Sequence, residues 1–319
     1  MEMIAFGPVP SRRLGKSLGI NNIPAKFCSY SCIYCQVGKT TNISIERRSF
    51  YEPEYIFKRV EEKVREAKVK DERIDYLTFV PDGEPTLDSN LGVEIELLSA
   101  IKIPVALLTN ASLLWRADVR EDLLKANLVS VKVDAVNEAL WRRINRPHKS
   151  LKIDEVLNGI LEFSKEFKGK IITETMLIDG LDYKEELENI ADFLSELKPY
   201  KAYVAIPTRP PAERWVKPAD EEVINRAFQV FSRKLGEDAV EYLIGYEGNA
   251  FAFTGNVEED LLSVTSVHPM REEGVKELLR KANASWDVVE KLLDEEKIIE
   301  LEYEDHKYYM RKIPSRIKL

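Results

Sequence analysis

Six times between Ser17 and Leu235 a short apolar or β-branched run is followed by an amphipathic stretch. The runs read SLGINNIP, IDYLTFV, IPVALLTN, LVSVKVDA, IITETMLI and KAYVAIP. The stretches between them carry helical periodicity; in EPEYIFKRVEEKVREAK, Ile56, Val60 and Val64 fall on one face. Strands that alternate with helices predict a parallel α/β fold. Right-handed crossovers curl six such units into an open or partial TIM-like (βα)6 barrel. In either form ligands belong at the carboxyl ends of the strands.

A barrel of this kind accounts for residues 1–250 of the 319. From Val257 the pattern changes. EEGVKELLRKAN reads as a helix, and Ser285 is placed to N-cap a second, WDVVEKLLDEEK. IIELEY and KYYMRKI follow as two strands around EDH. Helix, helix, hairpin is the order of a winged helix, so residues 257–319 are expected to form a C-terminal winged-helix module.

All three cysteines lie in CSYSCIYCQVG, with spacing C-x3-C-x2-C. Three clustered cysteines make no disulfide framework. Together with a start, MEMIAFGPVPSRR, that lacks a signal-peptide core, and no membrane-length apolar run, they predict a cytoplasmic protein with no membrane partner. Three thiolates on one loop reach three corners of an iron–sulfur cube, which normally takes four cysteines. With no fourth cysteine, one iron of a [4Fe–4S] cluster would stay open to a ligand. A zinc site would need a histidine, and His148, His268 and His306 are all remote in sequence. A redox pair at Cys32 and Cys35 leaves Cys28 unexplained. The spacing therefore favours the cluster on Cys28, Cys32 and Cys35.

CSYSCIYC resembles the C-x3-C-x-aromatic-C loop of the radical S-adenosylmethionine (radical SAM) superfamily, with Tyr34 in the aromatic place. The resemblance spans roughly Phe6 to Gly245. It implies a partial barrel, a [4Fe–4S] cluster and S-adenosylmethionine, which one electron splits into methionine and a 5′-deoxyadenosyl radical. It also implies an electron donor of the flavodoxin or ferredoxin type. PDGEPTL resembles the family's Gly-Gly-Glu-Pro turn, with Asp82 in place of the first glycine. There Gly83 and Glu84 would hold the methionine ammonium, a carboxylate beside a cation. LLTNAS resembles the turn after the third strand, so Asn110 would face the cofactor, and Tyr34 would pack near the adenine. Lys132, Asp134 and Glu174 stand at strand ends on the same side, either as structural hydrogen-bonders or as cofactor contacts. GPVPSRRLGKSLGIN and CQVGKT resemble radical SAM proteins related to archaeal wyosine synthases, which modify a tRNA guanosine. Those enzymes carry a second cluster on further cysteines that this chain lacks.

Net charge is −8, so any nucleic acid must be held by a local basic patch. WRRINRPHKSLK supplies one: Arg142, Arg143, Arg146, Lys149 and Lys152 occur with no acidic residue among them. Following the fourth strand, they are expected to overhang the barrel mouth. They would contact phosphates of a tRNA or a phosphorylated small molecule, with Trp141 free to stack on a base. The competing reading is a solvated helix end with cations near its C-terminus. Arg12 with Arg13, Arg47 with Arg48, and Arg209 with Arg214 would extend the patch. The second helix of the C-terminal module is acidic, with Asp287, Glu290, Asp294, Glu295 and Glu296. That argues against an iron–sulfur DNA-binding regulator, as does the Gly-Glu-Pro turn. The module is instead expected to bind a protein or peptide, to dock on the barrel or to pair two copies, while the basic tail RKIPSRIKL could meet a phosphate backbone. The expected function is radical modification of an RNA base or phosphorylated substrate, with a peptide substrate as the alternative.

Overall fold

The structure is a computed structural model that describes residues 3–312. The chain opens with β1 (Ala5–Ser11) and β2 (Gly15–Ile20), then β3 (Phe27–Cys28) and β4 (Asn42–Ile43). The strands β5 (Tyr76–Phe79), β6 (Val105–Thr109), β7 (Leu128–Lys132), β8 (Lys170–Met176), β9 (Lys201–Ala205) and β10 (Val240–Leu243) follow. One eight-stranded sheet runs β1-β2-β5-β6-β7-β8-β9-β10. Every pairing from β2 to β10 is parallel, and β1 lies antiparallel on β2. The six expected strands are β2 and β5 to β9.

Two further strands, β1 and β10, extend the sheet at its edges. AFGPVPS carries two prolines, which an edge strand tolerates because one side of its ladder is free. In VEYL only Val240 and Leu243 are buried, so it lacks the continuous apolar run of an interior parallel strand. The sheet stays open between β1 and β10, but Arg12 crosses the gap. Its Nη1 donates to the carbonyls of Leu243 at 2.7 Å and Gly245 at 2.6 Å.

The helices α1 (Pro53–Val69), α2 (Leu91–Ser99), α3 (Ala117–Leu123), α4 (Glu138–Asn145), α5 (Ile153–Glu166), α6 (Glu186–Leu197) and α7 (Glu221–Leu235) cover the sheet. In α1, Pro53 stands in the first turn, where its missing N–H costs nothing, and Ile56, Val60, Val64 and Ala67 are buried. The main core lies between these helices and the strands. A smaller apolar cluster, Ala106, Leu128, Ile172, Tyr203, Ala205 and Leu243 with Leu14 of the β1–β2 turn, is built on the other face.

The C-terminal unit comprises α8 (Val257–Val267), β11 (Met270–Arg271), α9 (Glu272–Ala282), α10 (Asp287–Asp294), β12 (Ile298–Tyr303) and β13 (His306–Arg311). Its strands form a sheet in the order β11-β13-β12. The two expected helices and the hairpin are present; α8 and β11 precede them. Ser285 does not cap α10, which starts after Trp286; its hydroxyl donates to Asp287 at 2.9 Å instead. The basic tail beyond Lys312 lies outside the described residues. Phe6 and Val9 of β1 share a core with Phe251, Leu261, Val264 and Met270, so this unit is packed on the sheet edge. Tyr303 and Tyr308 of the hairpin donate to the carbonyls of Pro207 and Thr208. Among the described residues no helix is long and apolar enough to cross a membrane.

Candidate active site

The cysteine loop is moored at several points before any cofactor is considered. β3 pairs with β4, Cys28 opposite Ile43. Beyond it, Ser31 N–H donates to the Asn145 carbonyl at 3.0 Å and Ile33 N–H to that of Ile144 at 2.9 Å, so the loop sits on the end of α4. Ile33 is buried against Ile144, Ile178 and Val216. Turns close at Cys35 N–H to Cys32 O and Gly38 N–H to Cys35 O. The apolar residues between the cysteines point into the protein, and Cys28, Cys32 and Cys35 all line one cavity of about 270 Å³.

The turn after β5 is joined to this loop. Glu84 N–H donates to the Phe27 carbonyl at 3.0 Å, and Lys26 N–H to that of Asp82 at 2.8 Å. A Cβ on Gly83 would lie 1.8 Å from the Phe27 oxygen, so only glycine allows the two segments to approach this closely. Glu84 is buried. Its Oε1 accepts from Thr86 N–H at 3.2 Å, the Thr86 hydroxyl at 2.7 Å and the Thr109 hydroxyl at 2.5 Å; its Oε2 accepts from Asn110 N–H at 2.8 Å. Burial raises its pKa, and those donors oppose the rise. The Asn110 amide donates to Ser29 Oγ at 2.9 Å and lies 3.5 Å from Cys28 Sγ. Cysteine loop, Gly-Glu-Pro turn and β6 end are thus one hydrogen-bonded body.

Lys132 and Glu174 line the same cavity and pair at 2.5 Å. Glu174 also binds Arg13, and Lys132 stands 5.3 Å from the Tyr34 ring centre. Burial lowers the Lys132 pKa. Tyr34 lines the cavity and donates to Asp134, which does not itself line it. Asp134 also accepts from Asn145 Nδ2 at 2.6 Å and Met176 N–H at 2.9 Å, so it is the residue that sets the Tyr34 ring.

The basic run at the end of α4 adjoins the cysteine loop, with Ser31 N–H 3.1 Å from the Arg146 carbonyl. Arg142, Arg143, Arg146 and Lys149 are exposed, and none lines the cavity. Arg142 pairs with Glu138 and donates to Leu151 O; Arg146 pairs with Glu213. Trp141 cannot stack on a base. It is 2% exposed, its indole N–H donates to Tyr30 Oη at 3.2 Å, and the rings meet edge to face. It belongs to the inward face of α4 with Ile144 and Asn145. Of the other arginine pairs, Arg47 is tied to Asp118, Asp122 and the carbonyls of Thr86 and Asp88, and Arg48 lies over Phe27 and Phe50. Arg12, Arg13 and Arg209 instead enter the cavity wall. The available signal was position: each follows a strand of the sheet.

The donor set fits an iron–sulfur cube. Among the described residues no three His, Cys, Asp or Glu side chains converge as ligands of one ion would. Thiolates that each meet a different iron of a cube need not converge. Burial pushes the Cys28 thiol well up and the Cys32 thiol to about 12, so a positive centre is needed to hold them as thiolates.

The pattern of the radical SAM superfamily matches residues 22–194, a span that holds the cysteine loop, the Gly-Glu-Pro turn and β5 to β8. With that match on this parallel sheet, the chain belongs to the radical SAM superfamily: it is an enzyme that uses S-adenosylmethionine with a [4Fe–4S] cluster. More narrowly, it is 55% identical over 316 residues to a UPF0026 protein of Methanocaldococcus jannaschii, covering 99% of this chain and 98% of that one. A UPF0026 protein of Synechocystis is 36% identical over 223 residues, 69% of this chain and 79% of its own length. In fold it resembles SuiB of Streptococcus suis bound to S-adenosylmethionine, with TM-score 0.52, 16% identity, and 70% of this chain and 49% of that one covered. A radical SAM methyltransferase from Sphaerobacter thermophilus gives 0.50, 16%, 71% and 66%.

Proposed function

We propose that Cys28, Cys32 and Cys35 hold the cluster and that the cavity beside them is where S-adenosylmethionine meets a substrate hydrogen. When bound, the cluster would supply the single electron for reductive cleavage of S-adenosylmethionine to methionine and a 5′-deoxyadenosyl group that abstracts the hydrogen. The observation that carries this reading is that all three cysteines and the Glu84 turn line one cavity at the carboxyl ends of the strands. Gly83 and Glu84 hold the methionine ammonium: Glu84 Oε2 accepts one hydrogen bond against three at Oε1, which leaves it the freer oxygen. Asn110 fixes the Cys28 side of the loop. Tyr34, set by Asp134, offers its face to the adenine. Glu174 holds Lys132 and Arg13 at the opposite strand ends. A flavodoxin- or ferredoxin-type donor supplies the electron.

For substrate, the reading is a phosphate-bearing molecule, a tRNA nucleotide among them. Arg143 and Lys149 support it as exposed cations beside Arg142 and Arg146 on an acidic chain. The C-terminal unit engages its hairpin tyrosines with the barrel, which favours a bracing role over peptide capture. The test is anaerobic incubation of reconstituted protein with dithionite and S-adenosylmethionine. Release of 5′-deoxyadenosine is expected, with weaker cofactor binding but intact cluster in Glu84→Ala. Unchanged cofactor affinity in that variant would remove Glu84 from the binding site. For the substrate, neutralising Arg142, Arg143 and Arg146 should reduce the slope of log tRNA affinity against log salt by roughly one unit per lost phosphate contact. A wild-type slope would exclude the island as the contact.

A further inference from the structure

Arg12 and Arg13 come from the turn between β1 and β2, and Arg209 from the connection after β9, almost two hundred residues later. The open barrel brings them into one cavity with the cysteines. Their direct ion pairs are few. Arg13 and Lys132 share Glu174, Arg209 pairs with Glu247, and Arg12 is held only by the Leu243 and Gly245 carbonyls, which carry no net charge. In direct ion pairs Arg13, Lys132 and Arg209 thus draw on Glu174 and Glu247 alone, with Asp134 acting on Lys132 and Glu247 on Arg12 through space, and Glu247 is shared again with His268 at 2.6 Å. Among the described residues two buried donors, Arg13 Nε and Arg209 Nε, have no hydrogen-bond partner, nor do the acceptors Glu174 Oε1 and Glu247 Oε2. The glutamates, Gln36 and His268 hold the guanidiniums in place without neutralising the wall.

We infer that Arg12, Arg13 and Arg209 form an anion subsite that takes a carboxylate or phosphate of the substrate inside the cavity. Planar guanidinium forks match both groups in two-point contacts, and a low-dielectric wall strengthens each contact. Burial lowers Arg12 to about 10 and Arg13 to about 9, and mutual repulsion among the three arginines adds to the shift. An anion would relieve that repulsion. This inference rests on the reading above, since it assigns the substrate end of the same cavity. It makes the substrate a small organic anion, or a nucleotide whose phosphate reaches inside.

The test uses cluster-loaded protein saturated with S-adenosylmethionine, titrated in separate calorimetric experiments with inorganic phosphate and with acetate. Saturable binding of one anion per chain is expected, and the tighter of the two names the group. Arg12→Gln and Arg209→Gln should each weaken it by about tenfold or more, as loss of a charge-assisted hydrogen bond does. Arg209→Lys, which keeps the charge and lessens any folding defect, should weaken it less, and Lys165→Gln on the outside of α5 should leave it unchanged. No saturable binding of either anion, or wild-type affinity in both glutamine variants, would overturn the inference. Binding seen only without S-adenosylmethionine would overturn it too, because the arginines would then serve the cofactor's own carboxylate. If the anion binds as described but the loaded protein releases no 5′-deoxyadenosine under dithionite, the radical chemistry of the proposed function fails and the anion subsite stands.

Discussion

Charge is handled in opposite ways inside the barrel and at the end of α4. In the cavity, Glu174 is 5% exposed and holds two cations that are themselves largely buried, Arg13 at 18% and Lys132 at 24%. At α4, Arg142 and Glu138 are 42% and 44% exposed, and the run that is densest in sequence is open to solvent. Adjacency in sequence concentrated charge on the surface, where it is weak; the fold concentrated it in the cavity from residues far apart. A buried charge that loses its partner is costly, while an exposed pair is worth little.

That contrast can be tested in order of size. Glu174→Ala leaves Arg13 without its paired carboxylate and Lys132 with Asp134 alone, and should destabilise the protein by about 3–5 kcal/mol in urea denaturation. A loss below about 1 kcal/mol would show that the pair is effectively solvated. Next, Gly83→Ala forces its methyl against the Phe27 carbonyl. A cost of about 1–3 kcal/mol is expected, with reduced iron uptake because the same carbonyl belongs to the cysteine loop; full iron uptake would show that the two segments can separate freely.

Glu94 sharpens the comparison through pH. It is buried beneath the Gly-Glu-Pro turn, and burial, then the neighbouring Asp88, raises its pKa. A raised folded-state pKa means the acid contributes its stability below the ordinary value of 4.5 and loses it as pH rises towards the folded value. Glu94→Gln should therefore gain on wild type at pH 8 compared with pH 4. An equal difference at both pH values would show that Glu94 is not held neutral. The smallest effect belongs to α4, where Arg142→Ala and Arg146→Ala should each change stability by less than about 1 kcal/mol.

The sequence was most legible where local pattern decides the structure. β5 to β9 are mostly buried and read as apolar runs, and the cysteines and Glu84 lie in short motifs whose spacing survives folding. α8 was obscured by Val257, Val264, Thr265, Ser263 and Ser266, residues of modest helix propensity, though Asn256 accepts from Glu259 N–H as its cap. Trp141 sits among cations in sequence, but the turn of α4 sends it to Tyr30. Sequence marks Arg12, Arg13 and Arg209 as cations that follow strands, but only the curl of the sheet, which brings β1 towards β10, gathers them in one cavity.

The account stands or falls on the cysteine loop. Iron and acid-labile sulfide should be counted after anaerobic reconstitution of wild type and of Cys28→Ala, Cys32→Ala and Cys35→Ala. About four of each per wild-type chain, with loss of the cluster in every variant, is the predicted result. Stoichiometric zinc in wild type, or a full cluster in any of the three variants, would contradict it.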